Sequence, residues 1–128
     1  MPESHVRRIL LAEDDDEIRQ VARRVLTHAG FLVTATRDGA EALASLHGVD
    51  GKFDAVLSDI LMPGMDGIEL AVRARAEYPR LPFVFMTGVA DIPRDRDRAS
   101  GLCEAILSKP FDIDELVGAL KSAVAANA

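Results

Sequence analysis

The sequence predicts an α/β fold, a doubly wound parallel sheet of five strands covered by helices on both faces. Two observations predict it. Five short apolar runs are interleaved with segments whose apolar residues recur at three- and four-residue steps, so strand and helix periods alternate along the chain. The runs are also apolar along their length, whereas a half-exposed sheet would show polar alternation.

The elements follow in order. "ILLA", Ile9 to Ala12, reads as the first strand. Ile18, Val21, Ala22, Val25, Leu26 and Ala29 define one helical face, which Gly30 ends as glycine commonly does just past a helix. "FLVTAT" from Phe31 is the second strand, and "DGAEALASL" the second helix, with Asp38 as its cap. After the "HGVDGK" loop, "FDAVLS" is a third strand ending at Ser58. A third helix then runs from about Asp66 to Tyr78, bounded by Pro79 and Pro82, which lead into the fourth strand, "FVFMT". "DIPRDRDRASG" offers only Ile92, Ala99 and Leu102 as apolar anchors among alternating charges and is read as a fourth helix. "AILS", Ala105 to Ser108, is the fifth strand, and the last helix carries Ile113, Leu116, Val117, Leu120 and Val124 on one face.

Composition narrows the function classes. The 128 residues suit a single domain spanning 1–128, with its core at about 7–124, and can bury a core without disulfides or a structural metal. The net charge of −6 argues against nucleic acid as a direct partner, because phosphate binding needs a basic face. The chain has no apolar run long enough to span a bilayer and no signal-peptide pattern, and it reads as cytoplasmic. Cys103, the single cysteine, reads as a small buried hydrophobe, and His5, His28 and His47 lack ligand spacing. The "MPES" start reads as a natural N-terminus, and the short tail after Val124 reads as carrying no linker or second domain.

In parallel α/β sheets, function collects at the carboxyl ends of the strands. Here strand one ends in "EDDD", strand three in Ser58 and Asp59, strand four in Thr87 and Gly88, and strand five in Lys109 and Pro110. Each has an ordinary alternative: the acids of Glu13 to Asp16 as helix caps, Asp59 as an acceptor in a turn, Thr87 as a strand residue, Lys109 as a solvated amine. Capping explains neither two adjacent acidic strand ends nor the lysine after an apolar strand.

Carboxylates about 4 Å apart repel by several kcal/mol at an effective dielectric of roughly 20, so Asp14 and Asp59 need a cation to share a cleft. Carboxylate oxygens, a backbone carbonyl and waters suit Mg²⁺. A carboxylate beside such an ion can attack a phosphoryl group, which makes Asp59 a candidate nucleophile. Lys109, Thr87 and nearby amides can then neutralise charge on the transferred oxygens.

"LLAEDD", "SDILMPGMDG", "FMTG" and "LSKPF", in this order and spanning nearly the whole chain, resemble the receiver domain of two-component response regulators. The resemblance implies a flavodoxin-like (βα)5 fold and a phosphoprotein whose phosphoacceptor, Asp59, is supplied by a histidine kinase or histidine phosphotransfer protein. It also implies Asp14 as direct metal ligand, Glu13 acting mainly through water, Asp15 as the less favoured participant, and Leu61 giving its backbone carbonyl. Thr87 matches the switch hydroxyl and Lys109 the lysine, whose bond to Pro110 is expected to be cis. Such a domain is regulatory rather than an enzyme, catalysing only its own Mg²⁺-dependent phosphorylation and dephosphorylation.

Three further expectations depend on that resemblance. Many receivers carry an aromatic ring three positions before the lysine; here Ile106 stands there, so the weakly anchored Thr87 to Leu102 segment is expected to serve as the mobile element. Leu61 and Val89, two positions after Asp59 and Thr87, are expected to gate water and slow dephosphorylation. "RILLAEDD", "MDGIELA" and "ILSKPF" resemble the single-domain CpdR-type regulators that prime the ClpXP protease, which implies a downstream protein partner. The alternative is a phosphate-relay module, or the receiver part of a hybrid kinase, without its own output.

Overall fold

The computed structural model describes residues 6–126. The "MPES" start and His5 lie outside the described residues, as do the last two residues of the tail. Strands β1 (Arg8–Ala12), β2 (Leu32–Thr36), β3 (Ala55–Asp59), β4 (Phe83–Gly88) and β5 (Ala105–Lys109) alternate with helices α1 (Asp16–His28), α2 (Gly39–Gly48), α3 (Gly67–Glu77), α4 (Ile92–Arg98) and α5 (Ile113–Ala126). A single 3₁₀ turn, Val89–Asp91, precedes α4. The strands form one parallel sheet in the order β2-β1-β3-β4-β5. This is the doubly wound parallel sheet expected from the alternation of periods, in the flavodoxin-like form that the family resemblance implies.

Strand alternation divides the core in two, because successive side chains leave a strand on opposite faces. Leu10, Val56, Phe83 and Phe85 pack on one side against Ala42 and Leu46 of α2 and Leu70, Ala71 and Ala74 of α3. Ile9, Leu11, Leu57, Val84 and Met86 pack on the other against Ala22 and Leu26 of α1 and Leu116, Leu120 and Ala123 of α5. The two layers fix the helices by burial, and the parallel register brings the strand ends to a common edge. Among the described residues, every buried side-chain polar atom has a hydrogen-bond partner, and no helix is long and apolar enough to cross a membrane.

Several local expectations are corrected. β2 is one of the two edge strands, with Leu32 and Thr34 exposed, so the sheet is not covered along its whole width. β3 continues through Asp59 and β5 through Lys109, because both residues are held in the ladder with Met86 and Gly88. Asp66 caps α3 instead of joining it, accepting from the Glu69 amide at 2.8 Å; Asp38 caps α2 as expected, accepting from the Glu41 amide. Val21 and Ile113, assigned to buried faces by periodicity, are exposed. Cys103 is half-buried against the first core layer, and burial raises its thiol pKa, consistent with a packing role.

Gly67 shows why the turn after Asp59 is rich in glycine. Its amide donates to the Ile60 carbonyl at 2.8 Å, and an added β-carbon would overlap the Asp59 carbonyl oxygen and lie 3.0 Å from the Ile60 α-carbon. Backbone cannot step aside as a flexible side chain can. Gly67→Ala should therefore cost about 1–3 kcal/mol by overpacking and lower the melting temperature by several degrees in calorimetry; an unchanged melting temperature would mean that α3 pivots freely away from β3.

Candidate functional site

The carboxyl edge of the sheet gathers Glu13, Asp14, Asp59 and Lys109. Glu13 and Asp59 are 0 % and 4 % exposed, whereas Asp14 is exposed. One oxygen from each of these three acids lies within 4.8 Å of the others, a hard-oxygen donor set that fits Mg²⁺. The cation present among them is the Lys109 ammonium, which donates to Asp59 Oδ2 at 2.8 Å and Glu13 Oε1 at 3.1 Å. The sequence anticipated that Asp14 and Asp59 share a cleft, and they do so together with Glu13; the ammonium bridges the buried pair, Glu13 and Asp59.

Local backbone holds each group. Glu13 follows β1 directly, its amide donating to the Thr36 carbonyl at 3.1 Å, its carbonyl accepting from Arg19 and its Oε2 from the Asp15 amide. Asp15 caps α1 by accepting from the Ile18 amide at 3.0 Å, so the ordinary capping role falls to this residue. Asp59 Oδ1 accepts weakly from the Leu61 amide at 3.3 Å. The Lys109–Pro110 peptide is cis.

Burial pushes the Glu13 carboxyl up to about 7; the hydrogen bond from Asp15 opposes this, the Asp59 charge adds to it, and Lys109 opposes it again. Burial alone would lower the Lys109 pKa, but the hydrogen bond and charge of Asp59, with Glu13, hold it above its ordinary value.

Thr87, the penultimate residue of β4, lies at the same edge of the sheet, but its hydroxyl serves a different partner. The Thr87 hydroxyl donates to Asp95 Oδ2 at 2.7 Å, with Thr87 and Asp95 only 2 % and 1 % exposed. Burial would raise the Asp95 pKa; the hydrogen bond from Thr87 and the Arg94 and Arg98 guanidiniums outweigh it and hold the carboxyl below its usual range. Sequence reasoning missed Asp95 by counting only Ile92, Ala99 and Leu102 as anchors of this segment. The available signal was spacing: Asp95, Ala99 and Leu102 recur at four- and three-residue steps on one face. Ile106 is half-buried against the same core layer as Ala99, and the Leu61 and Val89 residues are 71 % and 63 % exposed.

The Glu13 shift has a defined pH consequence. The folded state holds this proton more tightly than the unfolded chain, at about 7 against 4.5. Its stability contribution is therefore full below the unfolded value and is lost as pH rises towards about 7. Metal-free thermal melts across this range should fall with pH for the wild type and fall less for Glu13→Gln; equal slopes would contradict the assignment.

Comparison with known proteins gives the family of this edge. Residues 9–121 match the family model for the response regulator receiver domain. The chain is 40 % identical over 116 residues to the response regulator receiver protein CpdR of Brucella abortus (strain 2308), covering 91 % of this chain and 95 % of that protein. It is 34 % identical over 113 residues to the sensor kinase CckA of the same organism, covering 88 % of this chain but only 12 % of the kinase. A response regulator receiver protein from Sinorhizobium medicae WSM419 superposes with a TM-score of 0.83 at 33 % identity, covering 96 % of this chain and 98 % of that one. With the ordered strand-end motifs and the five-stranded parallel sheet, these matches establish that the chain belongs to the response regulator receiver domain family of two-component signalling.

Proposed function

We propose that the chain is a phosphorylation-controlled switch that accepts a phosphoryl group on Asp59 from a histidine kinase or histidine phosphotransfer protein and thereby changes its binding to a downstream protein. The observation that carries this reading is the Lys109 ammonium 2.8 Å from Asp59 Oδ2 within a cluster of three acids. In the step, an Asp59 oxygen forms a bond to phosphorus as the bond from phosphorus to the donor imidazole breaks, and the imidazole takes up a proton. Lys109 and the Leu61 amide stand where they can neutralise the oxygens of the acyl phosphate. Glu13, Asp14 and Asp59, with the Leu61 backbone carbonyl, would hold Mg²⁺, which supplies further neutralisation of phosphoryl charge. An apolar groove lined by Ile18, Val21, Phe111 and Ile113 adjoins Lys109 and would seat the phosphodonor protein.

The reading as a regulator is supported by similarity across 95 % of CpdR. A second reading, a relay module or the receiver part of a hybrid kinase, is supported by similarity to a segment of a sensor kinase. Proteins recovered with the phosphorylated chain distinguish them: a protein retained only in the phosphorylated state supports the regulator, and passage of the phosphoryl group onward to a histidine without such a partner supports the relay.

Incubation with a small phosphodonor and Mg²⁺ should add one phosphoryl group, detected by intact mass, and Asp59→Asn should abolish it. Full modification of that variant would overturn the assignment of the nucleophile. The lifetime of the phosphorylated state is expected to depend on Leu61 and Val89, whose apolar side chains can shield the acyl phosphate and cannot orient a water. Leu61→Asn and Val89→Glu should each speed decay of the phosphorylated protein, a tenfold change requiring only about 1.4 kcal/mol of barrier. Unchanged or slower decay with Mg²⁺ affinity preserved would contradict the gate.

A further inference from the structure

Asp95 is a buried acid at the edge of the site, in a helix that otherwise displays its charges. Its Oδ2 accepts from the Thr87 hydroxyl at 2.7 Å, and its Oδ1 accepts from Arg94 Nε at 3.1 Å and from an Arg98 guanidinium nitrogen at 3.4 Å. Arg98 continues to Asp66, the cap of α3, at 2.9 Å. One run of contacts thus connects the end of β4, α4 and the start of α3.

Thr87 is placed to belong to two networks. The residue before it, Met86, is in register with Asp59 across β3 and β4, and the residue after it, Gly88, is in register with Lys109 across β4 and β5. The hydroxyl therefore stands at the strand ends that carry Asp59 and Lys109, yet its proton is committed to α4. A threonine hydroxyl has one proton to donate, so it can serve one charged acceptor at a time.

We propose that Asp95 is a positioning residue that holds the Thr87 hydroxyl away from Asp59, so that phosphoryl oxygens on Asp59 must compete with the Asp95 carboxylate for one proton. This rests on the phosphoryl-acceptor reading above. When the phosphoryl oxygens win, Asp95 remains buried with a lone pair unserved, and that loss favours movement of the element that carries it. α4 is the element least able to resist: it has seven residues and no side-chain hydrogen bond at its N-cap. The device links site occupancy to α4 without an aromatic ring at position 106.

The test uses the full chain and beryllofluoride with Mg²⁺ as a phosphoryl mimic, with affinity measured by calorimetry. Asp95→Ala should bind beryllofluoride about tenfold more tightly than wild type, equivalent to about 1.4 kcal/mol, while its melting temperature without beryllofluoride falls. A merely structural role would lower both. In a Thr87→Ala background the same substitution should bring no gain in affinity, because no shared proton remains. If Asp95→Ala does not fold, Asp95→Asn should give a smaller gain in the same sense, a neutral acceptor being weaker. Unchanged or weaker affinity in the folded variant, or an equal gain in the Thr87→Ala background, would overturn the latch alone. Wild-type protein that takes up no beryllofluoride would overturn the phosphoryl-acceptor reading, and the latch with it.

Discussion

The arrangement of this molecule depends on one ammonium held between two buried carboxylates. Lys109 reaches Glu13 and Asp59, 96 and 50 residues away in sequence, from the end of β5. Either acid alone at that depth would face the cost of an ionised group removed from water. The bridge requires the ends of β1, β3 and β5 to reach a common level, which the parallel ladders through β4 provide. Glu13 registers the imperfect compensation, its proton held up to about 7 by burial despite the lysine.

The site therefore has two parts of different character. Glu13 and Asp59 are attached to β1 and β3, central strands packed in both core layers where side chains have little freedom, and Lys109 joins them from the half-buried edge strand β5. Thr87 lies at the same edge, but its hydrogen bond leads outward into a short helix of charged residues. A packed cluster beside a weakly anchored helix is the combination that the proposed switch requires, since local opening follows low packing and few buried contacts. The chain is similar both to nearly the whole of a receiver protein and to a short segment of a sensor kinase.

The fold was legible in the sequence because its main signals are periodic. β1, β3 and β4 are apolar along their length, and the Asp38 and Gly30 punctuation falls at helix ends. The acids and lysine of the site were legible because strand ends of a parallel sheet converge. Asp95 was not: its spacing with Ala99 and Leu102 marks a face, but the Thr87 hydroxyl that it accepts from lies on β4 and meets it only through the fold. Val21 and Ile113 were misread for the converse reason: periodicity identifies a face but not how far the neighbouring element extends over it. The exposed edge β2 was hidden because a short run such as "LVTAT" does not reveal its place in the strand order.

The most direct test of the central claim is chemical location of the phosphoryl group. An acyl phosphate on Asp59 is reduced by borohydride to homoserine, which peptide mass spectrometry can assign to a residue. The account predicts homoserine at position 59, formed only after phosphorylation and lost when Mg²⁺ is withheld from the phosphorylation step. Homoserine at Glu13's neighbour Asp14 or at another aspartate, or a phosphoryl group that resists borohydride on a serine or threonine, would contradict it.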